Sequence, residues 1–73
     1  MDKRSLSISG HRTSIALEPE FWAALERMAA QSGLTMAALI RSIDASRQTA
    51  NLSSAARLAV LQWYQQQAEP PAS

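Results

Sequence analysis

The side chains with chemical reach gather at the front of this 73-residue chain. Lys3, Arg4 and Arg12 stand there against the single acid Asp2, with His11 and the serines Ser5, Ser7, Ser9 and Ser14 around them. Residues 1–12 thus carry three basic groups and one acidic one, whereas residues 13–73 carry four basic and five acidic. A net charge of +1 is too small to announce a nucleic-acid binder, but the positive field sits at one end. In a two-fold dimer two such ends lie together and the local field doubles.

Catalysis is hard to build from this inventory. The chain has one His and no Cys, no glycine-rich phosphate loop, and no carboxylate pair at a spacing that holds a metal or shares a proton. Glu18 and Glu20 flank Pro19, where helix capping explains them. His11, alone, reads as a polar surface residue or donor and not as a metal ligand. No enzyme activity, metal or cofactor is expected, and the lack of Cys removes disulfides.

These side chains need elements to position them. From Ser5 to Leu17 the chain alternates twice: Leu6 and Ile8 against Ser5, Ser7 and Ser9, then Thr13, Ile15 and Leu17 against Arg12, Ser14 and Ala16. Such period-2 alternation marks a strand with one face packed and one open. Gly10 interrupts it as a bulge or as a hinge. The hinge reading makes residues 1–10 a basic N-terminal arm and leaves one strand, from His11, in a domain of residues 11–67. A single strand has no partner in such a layout, so its N–H and C=O groups call for a second copy of the chain.

Helix punctuation follows. Pro19 suits the first position of a helix, after Glu18. Phe21, Ala24, Leu25, Met28 and Ala29 then recur at the spacing of a one-sided helix, which Gly33 ends as a left-handed cap. Thr35 is a natural N-cap for a second helix with the stripe Met36, Leu39, Ile40 and Ile43. Gln48 to Asn51 reads as a connection, and Ser53 as the cap of a third helix running to about Gln66. That helix is apolar almost all round, with Leu58, Leu61, Trp63 and Tyr64 among its residues, and must touch protein on more than one side. Arg57 reads as a solvated charge on it, while Arg41 and Arg47 are open to phosphate, to Asp44 and to water alike. Residues 68–73, AEPPAS, read as a disordered tail.

Size supports association. A lone core below about 70–80 residues rarely supplies more than ~3–5 kcal/mol, and at 47% hydrophobic residues this chain has more apolar surface than a three-helix monomer comfortably hides. No run of about 18 apolar residues spans a membrane, and the first residues lack the apolar core of a secretory signal, so a cytoplasmic protein is expected.

The strand RTSIAL, the helix opening EPEFWAALERMA, the turn QSGLT and the helix AALIRSI together resemble the ribbon-helix-helix DNA-binding proteins, the Arc and MetJ type. The wider run from RSLSISGHRTSIALEPEFW to NLSSAARLAVLQWY is similar to a small bacterial subgroup with an added C-terminal helix. The fold this implies is mostly α with one β-strand: an intermolecular two-stranded antiparallel ribbon in a homodimer, plus a third helix. The partners implied are duplex DNA and a second copy, with a tetramer on DNA and a protein partner at the C-terminal helix as extensions.

In that resemblance the ribbon enters the major groove, with Arg12, Ser14 and Ala16 facing base edges. Arg12 suits guanine O6 and N7 and Ser14 suits several edges, whereas Ala16 can only touch a thymine methyl. Lys3, Arg4 and His11 then supply part of the backbone contact, joined by the N–H groups of Thr35, Met36 and Ala37 at the second helix. The dimer core implied is Ile15, Leu17, Phe21, Trp22, Leu25, Met28, Leu39, Ile40, Ile43, Leu61 and Tyr64. The function implied is a small transcriptional regulator, repressing its own operon for example. Its rivals are an antitoxin-type DNA binder that also neutralises a toxin, and a dimeric interaction module without DNA binding.

Overall fold

The computed structural model describes residues 1–46 and 51–68. The order is strand β1 (Asp2–Ile8), strand β2 (His11–Leu17), helix α1 (Pro19–Ser32), helix α2 (Met36–Ser46) and helix α3 (Leu52–Ala68). β1 and β2 form a two-stranded antiparallel sheet within the chain, in a register that pairs Asp2 with Leu17, Arg4 with Ile15, Ser5 with Ser14 and Ile8 with His11.

The expectation of one strand is thereby corrected. The residues read as an arm hold β1, and β2 meets its hydrogen-bonding partner inside its own chain, so the unpaired strand no longer calls for a second copy. The reason lies at Ser9 and Gly10, which have φ of 53° and 81°. Two consecutive positive φ values in a two-residue loop are the signature of the type I′ turn, whose twist matches the flanking strands. Gly10 is therefore neither a bulge nor a hinge. The alternation itself is as read: Ile8, Ile15 and Leu17 are buried, Leu6 and Thr13 half-buried, and Ser5, Ser7, Arg12 and Ser14 exposed.

α1 begins where Pro19 permits it. The Glu18 carbonyl accepts from the N–H of Phe21 at 2.9 Å and of Trp22 at 3.2 Å. It ends in a Schellman motif: Gly33, at φ 69°, donates to Ala30, and Leu34 donates to Ala29 at 2.9 Å. Thr35 caps α2, its Oγ1 accepting from the N–H of Ala38 at 3.1 Å.

α3 is capped by Asn51 and not by Ser53: Asn51 Oδ1 accepts from the N–H of Ser54 at 3.2 Å, and its carbonyl from that of Ala55 at 3.0 Å. The helix continues to Ala68, two residues beyond Gln66. The rest of the connection, Gln48 to Ala50, and residues 69–73 of the tail lie outside the described residues, as does Arg47.

One core joins all five elements. Ile15 and Leu17 of β2, Trp22 and Leu25 of α1, and Ile40 of α2 are the largest fully buried side chains. Around them lie Ile8, Met28, Leu39, Ile43, Ala56 and Val60, with Phe21 and Trp63 half-buried at the margin. α2 packs against β1 and α3 against β2, so the helices cover one face of the hairpin.

Candidate nucleic-acid interface

The face of the hairpin turned away from the core carries Lys3, Ser5 and Ser7 of β1 and Arg12, Ser14 and Ala16 of β2. Register sets them side by side, Lys3 opposite Ala16, Ser5 opposite Ser14 and Ser7 opposite Arg12. All are exposed except Ala16, which is half-buried. The hydroxyls of Ser5 and Ser14 lie 3.2 Å apart in a hydrogen bond across the strands. The face has two positive charges and no acid. From strand rise and spacing, the Lys3 and Arg12 Cα atoms stand roughly 14 Å apart on a diagonal, with the serines between them. Among the described residues neither side chain has an ion-pair partner.

Three features hold this face in place. Arg4 points to the other side, its guanidinium 4.6 Å from the centroid of the Trp22 ring and 3.9 Å from Glu26. Trp22, itself buried, donates from Nε1 to the Asp2 carbonyl at 2.8 Å. Leu6 and Ile8 are turned into the core. With alternate residues of β1 locked inward, Lys3, Ser5 and Ser7 have only the outward side.

Of the side chains expected to meet DNA, the structure brings Arg12, Ser14, Ala16 and Lys3 onto one face. It does not bring Arg4 there, nor His11, which is exposed at the turn on the same side of the strand as Ile8. Ser5 and Ser7 share this face through β1, an addition that the arm expectation for residues 1–10 leaves out although the alternation marks both as outward. At α2, Thr35 Oγ1 accepts the capping bond from Ala38, which leaves its own O–H as a donor beside the N–H groups of Met36 and Ala37 in that first turn.

A second polar cluster secures the base of the hairpin. Arg57 donates from Nε and Nη2 to Glu18 Oε1 at 3.1 and 3.0 Å, and its guanidinium lies 5.7 Å from the centroid of the Phe21 ring. The reading of Arg57 as solvated is corrected: it joins α3 to the start of α1. The Glu18 carboxyl is held below the usual carboxylate range, first by a hydrogen bond from its own backbone and then by Arg57.

α3 leaves large apolar side chains open beside its exposed glutamines. Leu58 and Leu61 are 49% and 52% exposed, and Tyr64 is exposed beside the half-buried Trp63, edge to face at 4.8 Å between centroids. The Tyr64 hydroxyl accepts from Arg27 Nη1 at 3.2 Å, which fixes the ring against α1. The other residues expected in a dimer core are already in the core of the single chain. No helix among the described residues is long and apolar enough to cross a membrane.

Neither curated proteins nor solved structures give a match. The model of the ribbon-helix-helix domain matches residues 1–64, from before β1 into the last turns of α3. That span takes in the paired strands, both capped helices and most of the added helix, and a family of DNA-binding modules accounts for an acid-free ribbon face held on a helical base. The chain belongs to the ribbon-helix-helix domain family.

Proposed function

We propose that the polar face of the hairpin enters the major groove of duplex DNA and reads sequence there, making the protein a small transcriptional regulator that acts on its own operon. The observation that carries this reading is the composition of the face: Lys3 and Arg12 free of described acidic partners, hydroxyls between them, and no carboxylate. A groove about 12 Å wide admits a two-stranded ribbon. Arg12 is suited to a bidentate pair with guanine, Ser14 to several base edges, and Lys3 to phosphate. The Met36 and Ala37 N–H groups at the start of α2 supply a further phosphate contact that sets register without reading sequence.

The working unit proposed is a homodimer. Leu58, Leu61 and Tyr64 form the surface that favours it, since a second α3 related by a two-fold axis covers this apolar side with its own. The same surface favours a second reading, in which α3 holds a different protein while the ribbon holds DNA. Selection of bound sequences from a random duplex library by the purified chain, followed by the same selection with Arg12→Ala, tests the functional reading. A sequence preference that weakens at one position per half-site supports it, and the absence of any preferred sequence contradicts it.

A further inference from the structure

We infer that a second copy of the chain seats on the paired outer sides of α1 and α3, with both helices antiparallel to their counterparts, so that Glu20 of each copy meets Arg27 of the other. The inference rests on the dimer reading above and deepens it, because it assigns the direction of the contact and the two charges that select it.

The two helices lie side by side and run the same way. The Arg57 guanidinium lies 5.7 Å from the Phe21 ring near the start of α1, and further along both helices Arg27 donates to the Tyr64 hydroxyl at 3.2 Å. Leu61 falls between these two ties, level with the middle of the stretch from Glu20 to Arg27. It is exposed, as is Leu58 one turn before it. Glu20 and Arg27 are exposed as well and share one stripe of α1, two turns or about 10 Å apart along its axis, with only the small exposed Ala23 between them.

Charge on this side is complementary to itself. Glu20 has no ion pair or side-chain hydrogen bond among the described residues, and Arg27 uses only Nη1, on Tyr64, which leaves Nε and Nη2 to donate. The other charges nearby are engaged: Glu26 faces Arg4 on the strand side of α1, and Arg57, the single charged residue of α3, holds Glu18. An acid and a base at equal distances from an apolar centre are what a two-fold contact exchanges, since residue i then meets j and j meets i. A two-fold axis running across both helices at the level of Leu61 lays α1 on α1 and α3 on α3 in opposite directions. It brings Glu20 to Arg27 twice and Leu61 to Leu61. An axis along the helices lays α1 on α3 instead, where the single charge is already paired.

Charge reversal tests the pairing. Glu20→Arg and Arg27→Glu, each alone, set like charges opposite each other twice per dimer, and each is expected to raise the self-dissociation constant about 5- to 30-fold at low salt and less at high salt. An equimolar mixture of the two single variants is expected to regain most of the parent's association as a heterodimer, because every reversed side chain then meets its opposite. The double variant, Glu20→Arg with Arg27→Glu, is expected to regain it with itself. Sedimentation equilibrium at two salt concentrations gives the constants, and thermal midpoints check that each variant is folded. Arg27→Glu also removes the bond to Tyr64, but loss of that bond alone is not restored by mixing. Single variants that associate like the parent, or weakened ones that neither the mixture nor the double variant restores, overturn the pairing; if Leu61→Lys still weakens association, the dimer surface of α3 stands. A parent chain that remains monomeric overturns both.

Discussion

The guanidinium of Arg4 lies over the indole of Trp22, 4.6 Å from the ring centroid, while the indole N–H donates to the backbone carbonyl of Asp2, two residues before Arg4. One buried ring thus holds β1 from two directions. It also removes a positive charge from the ribbon face that the first twelve residues, taken as a list, place there.

Arg4→Ala is expected to lower unfolding free energy by about 0.5–1 kcal/mol, since the side chain is 40% exposed and the contact lies at the weaker end for cation–π pairs. Urea denaturation measures this. The salt dependence of DNA binding is expected to stay close to that of the parent, because the Arg4 guanidinium lies over Trp22, on the side of β1 away from the polar ribbon face. Lys3→Ala, in contrast, is expected to reduce the salt slope by roughly 1 and to leave stability unaltered.

The Glu18–Arg57 pair gives a dependence on pH. The Glu18 carboxyl titrates below its ordinary range in the folded chain, so the stability it contributes is present above the unfolded value and is lost as the pH falls through the folded one. Glu18→Gln is therefore expected to be less stable than the parent at pH 7. The difference is expected to shrink in acid as the parent carboxylate protonates. Thermal midpoints of the two chains from neutral to acid pH check this, and a gap that widens in acid contradicts it.

The turn and the first helix cap rest on left-handed backbone. Open space surrounds a Cβ built on Gly10 or Gly33, so Gly10→Ala and Gly33→Ala carry a conformational penalty of about 1–2 kcal/mol each and no steric one. Ser9→Asn is expected to hold or raise stability, because asparagine accepts positive φ more readily at the first position of a type I′ turn. Urea midpoints rank the three.

The open face of α3 predicts how copies associate. Leu61→Lys places a charge on the proposed dimer surface at an exposed position, so the folded chain is expected to persist while self-association weakens. Sedimentation equilibrium of the variant and the parent separates the two effects. Equal association constants contradict the proposed surface.

Local structure was legible in the sequence where one residue type has one dominant use. Pro19 opens α1, Gly33 closes it and Thr35 caps α2. The alternation from Ser5 to Leu17 sorted inward from outward side chains. It did not say which strand pairs with which, because an alternating strand shows the same pattern beside its own chain or beside another copy. Ser-Gly is a weaker turn signal than Asn-Gly, and Ser9 adopts a φ that few serines do. The Arg57–Glu18 pair spans 39 residues and leaves no periodic trace. Arg4 and Lys3 look equivalent as adjacent basic residues until strand alternation sends one to Trp22 and the other to the open face.

The most direct test of the ribbon as a DNA reader is fluorescence anisotropy of the purified chain on duplex DNA from upstream of its own gene. A scrambled duplex, two salt concentrations and Arg12→Ala serve as comparisons. Preferential binding to the upstream duplex that weakens with salt is expected, with a loss of about 1–3 kcal/mol of discrimination in Arg12→Ala. Equal affinity for both duplexes, unchanged by Arg12→Ala, would contradict it.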